Sequence, residues 1–202
     1  MTPELLWGDL WITFIRVMGW TLLSWLIGGF LGFLSFRSSG FERLSLPIIN
    51  LMRHISPFCW LPLIIVIAGI GEVSVGLILV LAMVFNAALQ TREVLRGISR
   101  DVIGQAKLDG ADGFGLLLHI ELPFSASGMV DILRVLFSVG WTTVIAAEML
   151  GVSSGMGYRL LDFRYLLRYR EMIVYIGIIG VVGIIMDHLL LRAKRLFEFQ
   201  AI

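Results

Sequence analysis

From Leu10 to Phe36 the chain carries one charged side chain, Arg16. Few folds accept such a run. About 20 apolar residues in a helix reach across the roughly 30 Å hydrocarbon core of a bilayer, and in that solvent only helices and closed barrels satisfy their own backbone groups. Four more runs qualify, at Ile48 to Ile70, Val73 to Leu89, Gly128 to Leu150 and Met172 to Leu191. The expected fold is therefore an all-α membrane protein with five transmembrane helices, residues 1–202 forming one domain. Composition agrees, with 58% of residues hydrophobic, 15% charged and 22 glycines. Soluble domains are about half apolar and a quarter charged, and glycine lets helices approach closely in lipid. The second and third runs are separated only by "GIGEV", Gly69 to Val73, which makes them a helical hairpin.

Several function classes drop out. A net charge of +1 gives no sign of a nucleic-acid partner. Cys59 is the single cysteine, so there is no internal disulfide and no multi-cysteine metal site. His54, His119 and His188 lack metal-ligand spacing, and no G-x-x-x-x-G-K-[ST] phosphate loop is present. The first residues, with Glu4 and Asp9 and no basic stretch, do not read as a cleavable signal.

Basic residues suggest an orientation. Arg37, Arg43 and Arg53, then Arg92, Arg96, Arg100 and Lys107, then Arg192, Lys194 and Arg195 fall on one set of connections. Glu4, Asp9 and Glu72 fall on the other. The positive-inside rule then expects an outside N-terminus and a cytoplasmic C-terminus. One connection dissents: "YRLLDFRYLLRYRE" puts four arginines on the outer side.

The longest inner connection, about residues 90–124, is the most polar part of the chain. It reads as short helices broken by Gly97, Gly104, Gly110, Gly113 and Gly115. Gly110 marks the place where one piece stops and the next begins, because glycine takes left-handed conformations freely. Leu122-Pro123 is expected to end the second piece, since a residue before proline avoids the helical region. Two short helices meeting at a glycine make a compact knob, suited to a partner's groove, although an ordinary solvated loop fits the composition equally well.

The pattern in this connection resembles E-A-A-x-x-x-G-x(9)-I-x-L-P, the signature of permease subunits of binding-protein-dependent ABC importers. Gly104, Gln105 and Ala106 stand at the E-A-A positions, Gly110 at the glycine, and Ile120, Leu122 and Pro123 at I-x-L-P. The chain departs from the signature at Gly104 and Gln105. "SPFCWLPLIIVIAGIGE" (56–72), "WTTVIAAEMLGVSSGMGYRL" (141–160) and "GIIGVVGIIMDHLLLRAKR" (177–195) resemble ordered segments of the nitrate, sulfonate, taurine and bicarbonate branch. The resemblance implies a type I importer permease reduced to its five-helix core, without the further N-terminal span that members often carry.

It also implies partners. A homodimer would enclose the pathway, a periplasmic or surface binding protein would deliver solute, and two ATPase subunits would bind ATP and Mg while this chain binds no cofactor itself. Coupling to the ATPase would fall on Gly104, Gln105, Ala106, Lys107, Leu108, Asp109, Gly110, Ala111, Asp112 and Phe114. The setting would be the inner (plasma) membrane. Small anions are the expected solutes, with vitamin or pyrimidine precursors as the other class in the branch.

Charges within spans face a partner or a wet cavity. Arg16 and Glu148 lie near the outer ends of their helices, where they can pair, Arg16 can snorkel to headgroups, or either can meet solute. Trp141, Thr142 and Thr143 are pathway candidates, with core packing as the equal alternative. Arg134 and Asp187 read as helix–helix polar contacts. A membrane enzyme is disfavoured, because "DGAD" lacks the further aspartates of a metal-dependent lipid transferase and no H-E-x-x-H or G-x-S-x-G occurs. A channel or ATP-independent carrier would favour internal repeats, and none is visible.

Overall fold

The computed structural model describes residues 3–108, 110 and 113–198. Every element is helical: α1 (Pro3–Arg37), α2 (Ser39–His54), a 3-10 turn (Pro57–Trp60), α3 (Leu61–Ala68), α4 (Glu72–Arg96), α5 (Arg100–Leu108), α6 (Gly113–Leu116), a π turn (Leu117–Glu121), α7 (Leu122–Gly151), α8 (Met156–Tyr165) and α9 (Tyr169–Glu198). Four helices, α1, α4, α7 and α9, are each long and apolar enough to cross a bilayer.

The expected second span, 48–70, is not one straight helix. α2 and the Pro57–Ala68 segment meet at 90°. Ser56 precedes Pro57, and its extended backbone (φ −59°, ψ 131°) breaks the helix there. Contacts show that this bent pair still returns across the bundle. Arg16 of α1 meets Glu72 of α4, and further along Gly28 meets Ala87 and Gly32 meets Ala88 and Thr91, so α1 and α4 run parallel. Two consecutive parallel crossings require an intervening return. Glu42 sits beside Arg92 and Arg96, Arg53 beside Asn86, and α3 ends next to the start of α4, so α2 and α3 descend antiparallel to α4.

Close approach explains the glycines at the α1–α4 seam. A Cβ on Gly28 or Gly32 would strike the α4 backbone, and one on Gly76 would enter the Trp20 indole. The Gly28-x-x-x-Gly32 spacing stacks both gaps on one helix face. α4 is thereby enclosed between α1, α2–α3 and α7, and Val75, Ile78, Leu79 and Met83 are fully buried. α7 runs antiparallel to α4, and α9 packs on the far side of α7. α9 is the most exposed long helix, with Ile173, Ile176, Val181, Ile184, Ile185 and Leu189 open to the surroundings.

Helix bounds run past the expected ones. α4 continues through residues 90–96, which shortens the polar connection. Gly104 and Gly115 lie inside α5 and α6 rather than breaking them. Leu122-Pro123 ends nothing either. α6, the π turn and α7 are continuous, and Pro123 sits in the first turn of α7, where its missing N–H is harmless.

Candidate functional site

Three polar features stand out. At the end of the bundle where α1 and α4 finish and α7 begins lies the α5–α6 segment. Gly110 has φ +86° and Gly113 φ +44°, conformations that let the chain turn between the two short helices. Gly104, Gln105 and Leu108 are exposed, with Leu108 at 88%, whereas Ala106 is buried. Lys107 and Phe114 lie in α5 and α6. Asp109, Ala111 and Asp112 fall outside the described residues.

One contact fastens this segment to α1. The Arg37 guanidinium donates to the Gly113 carbonyl at 3.3 Å and lies 3.6 Å from the Glu121 carboxylate. Glu121 is buried in the π turn, and its Oε2 has no hydrogen-bond partner among the described residues. Nearby, Arg92 and Arg96 converge on Glu42 of α2, and the hydrogen bond from Arg92 holds that carboxyl below its ordinary value. Single π turns recur at functional sites. Neither Glu121 nor this π turn was marked by the apolar pattern.

At the opposite end, Arg16, Glu72 and Glu148 form an ion-pair cluster in which Arg16 and Glu148 are buried, while Glu72 is exposed and lines a cavity of about 530 Å³ together with Arg16. Arg16 pairs with Glu148 and, through Nε at 2.7 Å, with Glu72. Thr13 donates to Glu148 at 2.9 Å, the Gly157 amide donates to it at 2.8 Å, and the Met156 amide donates to Thr13. Arg16 Nη2 also donates to Ser154 Oγ at 3.2 Å. Glu148 is fully buried and Arg16 is 5% exposed. "GVSSGMG" therefore wraps a carboxylate: a side chain on Gly155 (φ +99°) would collide with the carboxylate itself, and one on Gly157 with the Ile145 carbonyl and the Glu148 Cβ. Of pairing, snorkelling and contact with solute, the structure shows pairing.

Beside it Asp9, also buried, accepts from Arg159 at 2.9 Å and from the Tyr175 hydroxyl at 3.1 Å. Asp9 likewise holds the Arg159 guanidinium above its ordinary value through that hydrogen bond. Arg159 pairs with Asp162 too, and Arg168 with Glu171, so two of the four arginines in the dissenting connection are offset by acids.

The third feature lies between α7 and α9. Arg134 donates to Asp187 through Nε at 2.6 Å and Nη2 at 2.8 Å, and Lys194 pairs with Asp131 at 2.7 Å. Trp141 is buried, stacks on Phe137 and donates its indole N–H to the Ile179 carbonyl at 3.0 Å. Thr142 is exposed, with its hydroxyl turned onto the Ser138 and Val139 carbonyls, and Thr143 is half-buried. A cavity of about 410 Å³ opens here. Arg16 and Glu148 are thus toward one end, with Trp141 about two turns away along α7. Among the described residues no cluster of histidine, cysteine, aspartate and glutamate has metal-ligand geometry.

Residues 24–199 match the model of the family described as binding-protein-dependent transport system inner membrane component. The chain belongs to that family. The permease is similar to a protein of Methanocaldococcus jannaschii whose name assigns it provisionally to ABC transporter permeases, at 33% identity over 141 residues, 69% of this chain and 53% of the relative. It is also similar to the taurine transport system permease protein of Escherichia coli, at 28% over 141 residues, 70% of this chain and 51% of that one. The permease spans about half the length of these two relatives. These similarities place it in the nitrate, sulfonate and taurine branch. A chain of the inward-facing MetNI methionine ABC transporter shares its fold, with a TM-score of 0.78 at 18% identity and 98% of both chains covered.

Proposed function

We propose that this permease forms the solute pathway of an ATP-driven importer as a homodimer, with one ATPase subunit seated under each copy at the α5–α6 segment. The observation that carries this is the Gly110 turn between α5 and α6, displayed at one end of the bundle and fastened to α1 by Arg37. An exposed Leu108 beside a glycine turn supplies a small apolar knob, and the contacts of Arg37 and the unbroken α6–α7 helix link that knob to two spans. Closure of the ATPases on ATP would move α5 and α6 together with α1 and α7. The ligand's differential affinity for two arrangements would then switch the pathway. In this reading that end is cytoplasmic, ATP and Mg are held by the ATPase, and a binding protein delivers a small anion from the other side. The family and the branch support it.

The test is gentle purification from the native membrane, followed by mass spectrometry of the co-purifying chains. An ATPase with a phosphate-binding loop, at one copy per permease, is expected. A chain that emerges alone and conducts ions in liposomes without ATP would overturn the proposal in favour of a channel.

A further inference from the structure

A cavity reaches Arg16 and Glu72, but Glu72, Glu148 and Ser154 already take the donors of Arg16, so it offers a solute no free guanidinium N–H. The face of α7 toward α9 is different. Asp131, Arg134, Ser138 and Thr142 follow one another at spacings of three and four, so they form one stripe along an otherwise apolar helix. All four are exposed or half-buried. Arg134 lies six residues, about 9 Å, inside the apolar run that begins at Gly128. Charged and hydroxyl side chains at such depth face water or protein rather than lipid chains. α9 completes the groove with Asp187 and His188, together with small Gly180 and Gly183 on the same helix.

The hydrogen-bond inventory of this groove is unsaturated. Arg134 spends Nε and Nη2 on Asp187, and Nη1 has no partner among the described residues. Ser138 Oγ likewise has none. His188 Nδ1 bonds the Ile184 carbonyl, which can only accept, so Nδ1 carries the proton and Nε2 is left over. Thr142 and Trp141 have committed their protons to backbone carbonyls and serve as wall.

We propose that this groove is a transit site for a small oxoanion, with Arg134 Nη1 and Ser138 Oγ as its donors and Asp187 as the group that keeps binding weak. A guanidinium edge matches the geometry of oxyanions. Left unopposed in a confined groove, it would trap one. Asp187 offsets most of its charge, and a pathway needs sites that attract but release. A cavity of about 410 Å³ suits a solute of a few heavy atoms. This rests on the importer reading above.

The test uses the purified complex of permease, ATPase and binding protein in proteoliposomes, with labelled nitrate and labelled taurine as probes. Uptake and ATP hydrolysis are measured together. Ser138→Ala and Arg134→Lys are each expected to raise the ATP spent per solute about fivefold or more, with the rate of hydrolysis held within about twofold. Asp187→Asn is expected to slow uptake and to change the preference between the two probes. A lysine still pairs with Asp187, so a merely structural pin would leave ATP per solute unchanged in Arg134→Lys and Ser138→Ala. That result overturns the site while leaving the importer intact. Wild-type complex that couples ATP to uptake of a cation and ignores both anions overturns the oxoanion class, and absence of ATP-driven uptake of any kind would instead defeat the importer reading.

Discussion

Arg16 of α1 and Glu148 of α7, 132 positions apart, are ion-paired with the carboxylate fully buried. The pair ties the first span to the fourth at the end of the bundle remote from α5. Because Thr13 and the Gly157 amide satisfy the remaining carboxylate sites, the two charges are held in a complete network rather than by attraction alone.

Breaking such a pair from one side strands the other charge. Glu148→Ala is expected to destabilise the permease by about 3–5 kcal/mol, whereas replacing both members with apolar residues of similar volume should cost far less. Thermal unfolding in detergent of Glu148→Ala, Arg16→Met and the double Arg16→Met/Glu148→Met variant checks this. Additive losses in the double variant would show that the two residues do not act as a pair.

Gly157 lies close to the Ile145 carbonyl and the Glu148 Cβ, so Gly157→Ala must push the 152–157 segment off the carboxylate. Gly177 on α9 has open space where a Cβ would go. Gly157→Ala should lower stability by about 1–3 kcal/mol, and Gly177→Ala should leave it unchanged or slightly raised, since alanine favours helix. Melting temperatures of the two variants, measured side by side, decide it.

Apolar runs made the four long helices legible in the sequence, and charge placement made the Arg16–Glu148 and Arg134–Asp187 contacts reachable as candidates. The second crossing was legible as a span but not as a bend, although the Ser56-Pro57 pair carried the signal. Gly110 was readable because only one residue type takes its φ freely, and Pro123 was misread because the same proline that stops a helix also starts one. The Asp9–Arg159–Tyr175 network was not readable, since its members are 150 positions or more apart in the case of Asp9 and no periodicity links them. The α7 stripe was readable in principle. Polar residues at 131, 134, 138 and 142 carry helical spacing, but apolar periodicity dominates the segment and hides a polar face on a mostly apolar helix.

Gly110 has φ +86°, which proline's ring, fixed near −65°, cannot reach. Gly110→Pro should therefore misplace α5 relative to α6 without disturbing α1, α4, α7 or α9. The expected result is normal membrane insertion with uptake reduced about tenfold or more relative to ATP hydrolysis. Coupled uptake at the wild-type ratio would count against docking at this turn. The measurement is the same paired assay of uptake and hydrolysis.

Glu42 supplies a pH-dependent fastening of α2. Its carboxyl is lowered from the ordinary value of 4.5, first by the Arg92 hydrogen bond and then by the charges of Arg92 and Arg96. A depressed carboxyl contributes stability that is present in full above its unfolded value and is lost as pH falls through the lower folded value. The arginines stay charged throughout, so the window lies below 4.5 and belongs to Glu42. Hydrogen exchange of α2 amides should accelerate as pH drops through that window, after correction for the intrinsic pH dependence of exchange. In Glu42→Gln the neutral amide still accepts from Arg92 but no longer titrates, so α2 should exchange faster than wild type at neutral pH and show no further acid-dependent step. A step that persists in Glu42→Gln would assign the acid sensitivity of α2 to another group.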